Sequence, residues 1–507
     1  MKHLSPARQA ALVVLLATAI RLLLGLGMGL GIDESYMVAS TNSFHLSYFD
    51  HPPVSWWMEL AIRHVTGLDT PIVVRLPFIL TFVGTSALMF GLTRQLFSPK
   101  AALWAVITLN LSPVFSLAFG TWVLPDGPLD FFLLASTWAL ASALGIGNPE
   151  MRDEPRAGHW LIAGACLGLA MDAKYSAALV AMGALLFLAF DTSGRRSLTT
   201  AWPWVAGTIA ILFFSPVLIW NAQHGWISFG FQGSRAIGTS FHPLRPFIVW
   251  AGEALFVLPW IFALQIWLML RGFMFDADRR SRFLATLAVI PVVLFSLVAV
   301  WSSRKILYHW AAPGYLMLFP LLGAWISELT GRLQTVVHRT AIGTGILLAA
   351  AALFIAMEVS FNVVPGFNSL FPVGHSPEIQ AADWTSLRTE FVRRGFAQNH
   401  NLAIAAMRWF NAGKIGYALG PNIPVTVFGG DPHEFAFTHP PQSLIGHDVL
   451  IAAMPGAVPA IRAEYAGRFK SLTKIPPMQI VHHGTILLTV PLLYGHDLLD
   501  WPRQTRG

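Results

Sequence analysis

The sequence predicts a polytopic α-helical membrane protein of about eleven crossing helices (eleven to thirteen), followed by a small α/β domain outside the bilayer. Three observations carry this prediction. Of 507 residues, 55% are hydrophobic and only 12% are charged, whereas soluble domains carry about 25% charged residues. The apolar residues gather in runs close to the roughly 20 residues that, at 1.5 Å each, cross a hydrocarbon core. Beyond about residue 360 these runs cease and charged residues return. Such a composition excludes a disordered chain, a collagen and a water-soluble enzyme with a single core. The net charge of +7 is read through membrane topology rather than as a sign of nucleic-acid binding. A lone cysteine, Cys166, excludes an internal disulfide and a thiolate metal site.

Taken in order, the candidate spans fall at about 10–30, 72–94, 101–119, 128–146, 159–171, 175–191, 201–220, 246–270, 284–301, 308–326 and 340–358. The first, preceded by Lys2 and Arg8, mimics a signal peptide, but its apolar run is too long for one and ten more spans follow. The fifth and sixth are short and separated by Met171-Asp172-Ala173-Lys174. Basic residues set the orientation. With the N-terminus in the cytoplasm, fourteen Lys and Arg fall on inner segments and seven on outer ones: Arg63, Arg75, Lys174, Arg235, Arg245, Arg304 and Lys305. Residues 1–358 then form the membrane domain, with juxtamembrane helices in an outer loop at about 31–71, and residues 359–507 form a soluble α/β domain on the outer side. In that domain the spacing of Ile379, Trp384, Leu387 and Phe391 predicts an amphipathic helix over 378–395. Strand-like runs follow at 402–406, 424–428, 448–453 and 485–491, with helix-like segments at 409–419 and 457–468.

Polar residues collect on the outer face. The first outer loop carries Asp33-Glu34-Ser35-Tyr36, then Tyr48-Phe49-Asp50-His51-Pro52-Pro53. The second carries Pro125-Asp126-Gly127-Pro128-Leu129-Asp130, and Asp130 lies inside the apolar start of the next span, where a carboxylate is costly without a partner or a function. These acidic clusters share a face with Lys174, Arg235, Arg304 and Lys305. Simple pairing of exposed charges contributes only about 0–1 kcal/mol per pair, a weak reason to assemble so many. A cavity with a carboxylate wall and a cationic wall is the functional reading: carboxylates act as bases or metal ligands, and Lys and Arg neutralise phosphate oxygens. Two further stretches, Trp220 to Gln232 and Arg304 to Trp310, are rich in side chains that contact sugars or head groups. Tryptophans at helix ends usually form an interfacial belt, but Trp226 has Asn221, Gln223 and His224 beside it, which favours binding. His51 and His309 match no zinc spacing, although a hard divalent cation (Mg2+ or Mn2+) held by Asp33, Asp50 and Asp126 together with a phosphate is chemically coherent. No phosphate-cradling glycine motif argues for a nucleotide donor.

The ordered motifs Asp33-Glu34-x-Tyr36, Tyr48-Phe49-Asp50-His51-Pro52-Pro53, Pro125-Asp126-Gly127-Pro128-Leu129, Ala173-Lys174-Tyr175-Ser176, Trp220-Asn221-x-Gln223-His224-Gly225-Trp226 and His309-Trp310-x-Ala312-Pro313 resemble those of bacterial GT-C glycosyltransferases. The nearest group is the family 39 and 83 branch of aminoarabinose and protein O-mannosyl transferases, over about residues 31–320. The stretch from Arg408 to about Phe437 resembles that group's small periplasmic domain. The resemblance implies an enzyme of the bacterial inner membrane that moves a hexosyl or pentosyl group from a polyprenyl-phosphate donor to a hydroxyl on lipid A or its core, another envelope glycan, a lipid or a protein. It implies Asp33 as base with Glu34 beside it, and Asp126 as a supporting acid or metal ligand. Where the aminoarabinose relatives carry Glu-Lys this chain has Asp50-His51, and histidine is only partly charged near neutrality. The donor phosphate therefore falls to Arg304, Lys305, Lys174 and Arg235, and the substrate to Tyr36, Asp50, His51, Asn221, Gln223, His224, Trp226, Tyr308 and His309. One-step displacement implies inversion at the anomeric carbon. A transporter or flippase of lipid-linked glycans is the rival reading; the carboxylates gathered at one face and the lack of an inverted repeat weigh against it.

Overall fold

The structure, a computed structural model, describes residues 4–147, 157–235, 241–274, 276–302, 306–364, 366–371, 376–482 and 484–501. Its helices are α1 (Pro6–Gly27), α2 (Ile32–Ser40), α3 (Val54–Thr66), α4 (Pro71–Leu96), α5 (Pro99–Leu111), α6 (Asp126–Ala143), α7 (Ala157–Ala173), α8 (Ala177–Phe190), α9 (Thr192–Leu198), α10 (Trp202–Gln223) and α11 (Ile227–Ser234). They continue with α12 (Arg245–Val257), α13 (Pro259–Arg271), α14 (Arg279–Val298), α15 (Ala312–Glu328) and α16 (Gly331–Phe361). Among the described residues, α1, α4, α10, α14 and α16 are each long and apolar enough to cross a membrane, and two bent pairs, α8 with α9 and α12 with α13, raise the number to as many as seven. The chain is thus a multi-pass membrane protein. Large apolar side chains on α1 (Leu15, Leu16, Leu26) and α16 (Ile342, Ile346, Leu347) are exposed, as lipid-facing residues would be.

Several apolar runs break where local chemistry demands it. The run at 101–119 ends its α-helix at Leu111, and after Ser112-Pro113 continues as a π-helical turn, Val114–Phe119. The run at 246–270 folds as α12 and α13, which meet at 113°. Leu258 sits at φ 92 immediately before Pro259, a residue disfavoured from the helical region by the following ring.

Two compact units make up the chain. The first comprises Met1–Leu23, His45–Met58 and Arg75–Ala350. In it α7 packs on α6 and α10, α5 on α15, and α14 on α8 and α15. Small residues permit the closest of these contacts: a Cβ on Gly164 would lie 2.3 Å from the Ala206 carbonyl oxygen, and one on Gly168 would lie 2.6 Å from that of Ala210. Bringing backbones together through small residues is a common basis of helix association in lipid, where the hydrophobic effect gives no help. Arg21 is buried in the same unit, where its Nε donates to the Ser116 carbonyl (2.8 Å) and its Nη2 to Asn110 Oδ1 (2.7 Å).

The second unit comprises Leu24–Phe44, Glu59–Val74 and Ala351–Gly507. Its helices are α2, the end of α3, α17 (Pro377–Ala381), α18 (Ser386–Arg393), α19 (Trp409–Leu419), α20 (Phe435–Thr438) and α21 (Val458–Tyr465). The strands are β1 (Leu402–Ala406), β2 (Val425–Val427), β3 (Asp448–Ala452), β4 (Phe469–His482) and β5 (Thr485–Leu498), in the order β2-β1-β3-β5-β4. β1 runs parallel to β2 and β3, while β5 is antiparallel to β3 and β4. The single amphipathic helix expected over 378–395 is two pieces. Asp383 interrupts it by accepting from the Thr385 backbone N–H (2.9 Å) and the Thr385 hydroxyl (2.7 Å).

Candidate active site

Within the first unit, two helix ends bring a buried pair together. Asp126 opens α6, where a carboxylate is favoured by the helix N-terminus. Lys174 follows the last residue of α7 in a tight turn, its backbone N–H donating to the Ala170 carbonyl (2.9 Å). The Lys174 ammonium is 2.8 Å from each Asp126 oxygen, and both side chains are buried. An ammonium carries three donors, and this pairing uses two. Four residues further along α6, Asp130 is wholly buried, and neither of its oxygens has a hydrogen-bond partner among the described residues.

Lys174 also lines a cavity of about 250 Å³ with His51, Tyr175, Ser176, Gln232 and Arg235. Its remaining wall is apolar: Leu179 from α8, Leu294, Phe295 and Val298 from α14, and Trp310. The Arg235 guanidinium lies 4.3 Å from the centre of the Phe231 ring and 5.7 Å from that of Trp310. Burial pushes the His51 imidazole down to about 4; Asp50 and Asp126 oppose this, whereas Lys174 and Arg235 add to it. Burial thus favours the neutral imidazole in the unliganded cavity. His309 lies within the electrostatic reach of Lys174, Asp126, His51 and Arg235, with its ring against Phe119 (6.3 Å).

The stretch from the end of α10 into α11 holds the His51 loop in place. Asn221 is fully buried; its carbonyl accepts from the Trp226 N–H (2.8 Å) and its Oδ1 from the Ser228 N–H (3.2 Å). One turn of α11 then reaches the loop twice: Ser228 Oγ donates to the Tyr48 carbonyl (3.2 Å) and Gln232 Nε2 to the Asp50 carbonyl (2.6 Å). His224 stacks on Trp220 at 4.0 Å and bonds its carbonyl through Nδ1 (2.7 Å). Gln223 is exposed. Trp226 is half exposed and left-handed at φ 61, with its ring stacked on Phe229. The Tyr308 ring packs on Phe256 (5.6 Å) and against Gly252. Asp50 is buried beside this network.

The remaining sequence candidates belong to the second unit or fall outside the described residues. Asp33 is exposed in the first turn of α2. Glu34, one residue on, is buried and turns back to accept from the Gly31 N–H (2.7 Å), which caps the helix. The Tyr36 hydroxyl accepts from the Glu434 N–H (3.0 Å). Arg304 and Lys305 lie outside the described residues. Among the described residues no group of three or more His, Cys, Asp or Glu side chains is arranged to hold a metal ion, and Asp126 gives both oxygens to Lys174. That donor set does not fit the divalent cation envisaged for Asp33, Asp50 and Asp126, so no chemical step is routed through one.

The sequence signals missed the apolar wall and the anchoring role of Ser228 and Gln232. Apolar residues in apolar helices carry no contrast, and a positioning hydrogen bond leaves no composition trace; the i, i+4 spacing of Ser228 and Gln232 was the one available hint.

Residues 50–220 match the family model described as dolichyl-phosphate-mannose-protein mannosyltransferase. Two curated relatives from Rhizobium johnstonii are each 24% identical. They are the lipid A galacturonosyltransferase RgtD, matched over 59% of this chain and 60% of its own length, and the lipopolysaccharide core galacturonosyltransferase RgtB, matched over 38% and 37%. The chain thus spans less than two thirds of either relative. The crystal structure of ArnT from Cupriavidus metallidurans, solved in the apo state and bound to undecaprenyl phosphate, superposes with a TM-score of 0.65. The apo superposition covers 95% of this chain and 97% of that one, at 14% identity. In fold, then, this chain is similar to ArnT, the GT-C-type integral membrane architecture that its ordered motifs implied, and residues 50–220 match the mannosyltransferase family model.

Proposed function

We propose that the chain is a glycosyltransferase that moves a sugar from a polyprenyl-phosphate donor to a hydroxyl acceptor at the periplasmic face of the bacterial inner membrane. The observation that carries the proposal is the cavity that Lys174 and Arg235 line together with polar side chains (His51, Ser176, Gln232) and an apolar stretch from Leu179, Leu294, Phe295 and Val298. Two cations suit a phosphate and the wall suits a prenyl chain. The two-to-one excess of Lys and Arg on the segments assigned to the cytoplasm supports the orientation.

In this scheme Asp33 takes the proton of the acceptor hydroxyl, whose oxygen attacks the anomeric carbon. The bond from that carbon to the phosphate oxygen breaks, and the negative charge gathering on the phosphate is received by Lys174 and Arg235, joined by Arg304 and Lys305. Bond making opposite the departing phosphate inverts the anomeric centre. Asp126 holds the Lys174 ammonium in register. His51, neutral, serves as a hydrogen-bonding group rather than a countercharge. The names of both curated relatives support lipid A or the lipopolysaccharide core as acceptor and a uronic acid as the sugar.

Mass spectrometry of envelope glycolipids and proteins, with and without the chain, tests this reading. Loss of one sugar mass from lipid A or core supports it. An unchanged envelope, together with movement of intact lipid-linked glycan across vesicles containing the chain, would establish a flippase instead.

A further inference from the structure

The helix that carries Asp33 is built into the C-terminal domain's compact unit. The chain leaves α1 at Gly27 and reaches α2 at Ile32, and within that short passage the C-terminal domain grips its backbone. A Cβ on Gly29 would lie 2.7 Å from the carbonyl carbon of Ala382. Lys414, in the middle of α19, is 3% exposed, and its ammonium donates to three backbone carbonyls: Leu30 (2.8 Å), Ala382 (2.9 Å) and Gln380 (3.2 Å). Its charge also lies over the Trp384 ring, 5.2 Å from the centre. Burying an ammonium costs free energy unless its donors are satisfied, and here one of the three acceptors is the residue just before the Asp33 turn.

The next turn of α2 is held as closely. A Cβ on Gly413 would lie 2.6 Å from Tyr36 Cα, so α19 meets α2 backbone to backbone, and one on Gly416 would lie 3.0 Å from the Ala39 Cβ. The Tyr36 ring packs against Trp409 (5.0 Å), His433 (5.7 Å) and Phe435 (5.9 Å), while its hydroxyl accepts from the Glu434 N–H. Glu34, Ser35, Tyr36, Met37 and Val38 are all buried; in the first turn Asp33 projects outward.

We infer that Lys414 is a positioning residue, which with Gly413 and Tyr36 sets the location of the Asp33 carboxylate, so that the C-terminal domain is part of the catalytic apparatus rather than an appended acceptor-binding module. This inference rests on the reading of Asp33 as base. Lys414 acts through the Leu30 carbonyl, and displacement of a reacting group by about 1 Å can cost roughly 100-fold in rate.

The test uses the full chain in lipid nanodiscs, a polyprenyl-phosphate uronic acid as donor and extracted lipid A as acceptor. Lys414→Met is expected to lower kcat roughly 10–100-fold while donor KM stays within about twofold. Lys414→Arg recovers part of the loss, and amide hydrogen exchange across residues 30–40 quickens in Lys414→Met while that of α6 and α7 is unchanged. In Asp33→Asn the further change Lys414→Met has no additional effect. Asp33→Asn inactive with Lys414→Met at the wild-type kcat overturns this inference and leaves the base reading intact. Near-normal turnover in Asp33→Asn overturns both. Should Lys414→Met fail to fold, Gly413→Ala adds one methyl 2.6 Å from Tyr36 Cα and pushes α2 without removing any hydrogen-bonding group; it is expected to show the same fall in kcat at constant donor KM, and a wild-type kcat overturns the inference.

Discussion

Replacing Lys174 by methionine, alone and together with Asp126→Leu, separates the two tasks proposed for that side chain. Its ammonium is 2.8 Å from both oxygens of Asp126, and the side chains retain 11% and 4% of their exposure. Removal of one partner strands a buried carboxylate, which costs about 3–5 kcal/mol. On the proposed function the same substitution removes a charged hydrogen bond to the donor phosphate, worth about 1.5–3 kcal/mol, or roughly 10–150-fold in affinity. The single variant therefore loses both stability and donor binding. The double variant Lys174→Met/Asp126→Leu leaves no stranded charge, so its stability returns to within about 1–2 kcal/mol of wild type, while donor binding stays weak. Thermal unfolding followed by tryptophan fluorescence reports the first quantity, and a titration with polyprenyl phosphate reports the second. Wild-type affinity in the double variant would refute the argument, because the pair would then be structural and the phosphate would bind elsewhere.

Asp33→Asn is expected to lower turnover by about 100–10,000-fold, the usual contribution of a positioned base, with unfolding temperature unchanged; a labelled-donor transfer assay measures it. Arg235→Ala should raise donor KM about tenfold and lower kcat as well, as expected for a charged contact that strengthens while negative charge gathers on the phosphate. Trp226→Gly relieves a left-handed backbone and should raise stability by about 1 kcal/mol, while acceptor KM rises; if acceptor kinetics stay the same, the tryptophan is only an interfacial anchor. His51, held down to about 4 by burial against about 6.5 unfolded, is neutral in the folded chain between those values. The unfolded state binds more protons there, so His51 contributes stability in full above about pH 6.5 that is lost as the pH falls towards 4. His51→Gln should flatten that acid loss in thermal unfolding curves measured from pH 7 to 4, and a loss as steep as wild type would contradict it.

The membrane class was legible because each run of apolar residues is long and because charge returns abruptly near residue 360. The strand at 402–406 and the helix at 409–419 were legible for a local reason, a short apolar run followed by helical spacing. β4 was not, because Pro476-Pro477 punctuate it. As the edge strand it has no neighbour on one side, so it tolerates residues without an N–H, and the register slips between Ile475 and Met478. Of the site, the sequence marked Asp126, Lys174, Arg235 and His51 as polar groups on one face. It did not mark the bond between the first two, because their separation along the chain is filled by two helices whose packing decides it. Asn221 stood out as a side chain suited to sugars, whereas its atoms shape the turn beneath Trp226.

Packing α2 against α19 has a consequence for synthesis. Almost 400 residues separate the two in the chain (Ile32–Ser40 and Trp409–Leu419), and ribosomes add about 5–20 residues per second. After leaving the ribosome, the Asp33 segment therefore waits on the order of 20–80 s for the helix that will seat it. Throughout that interval Tyr36 and its apolar neighbours are without their final cover, a window in which a chaperone could engage them. Fusions that cut the chain before Leu419, of the kind used to map topology, would leave that segment permanently unhoused.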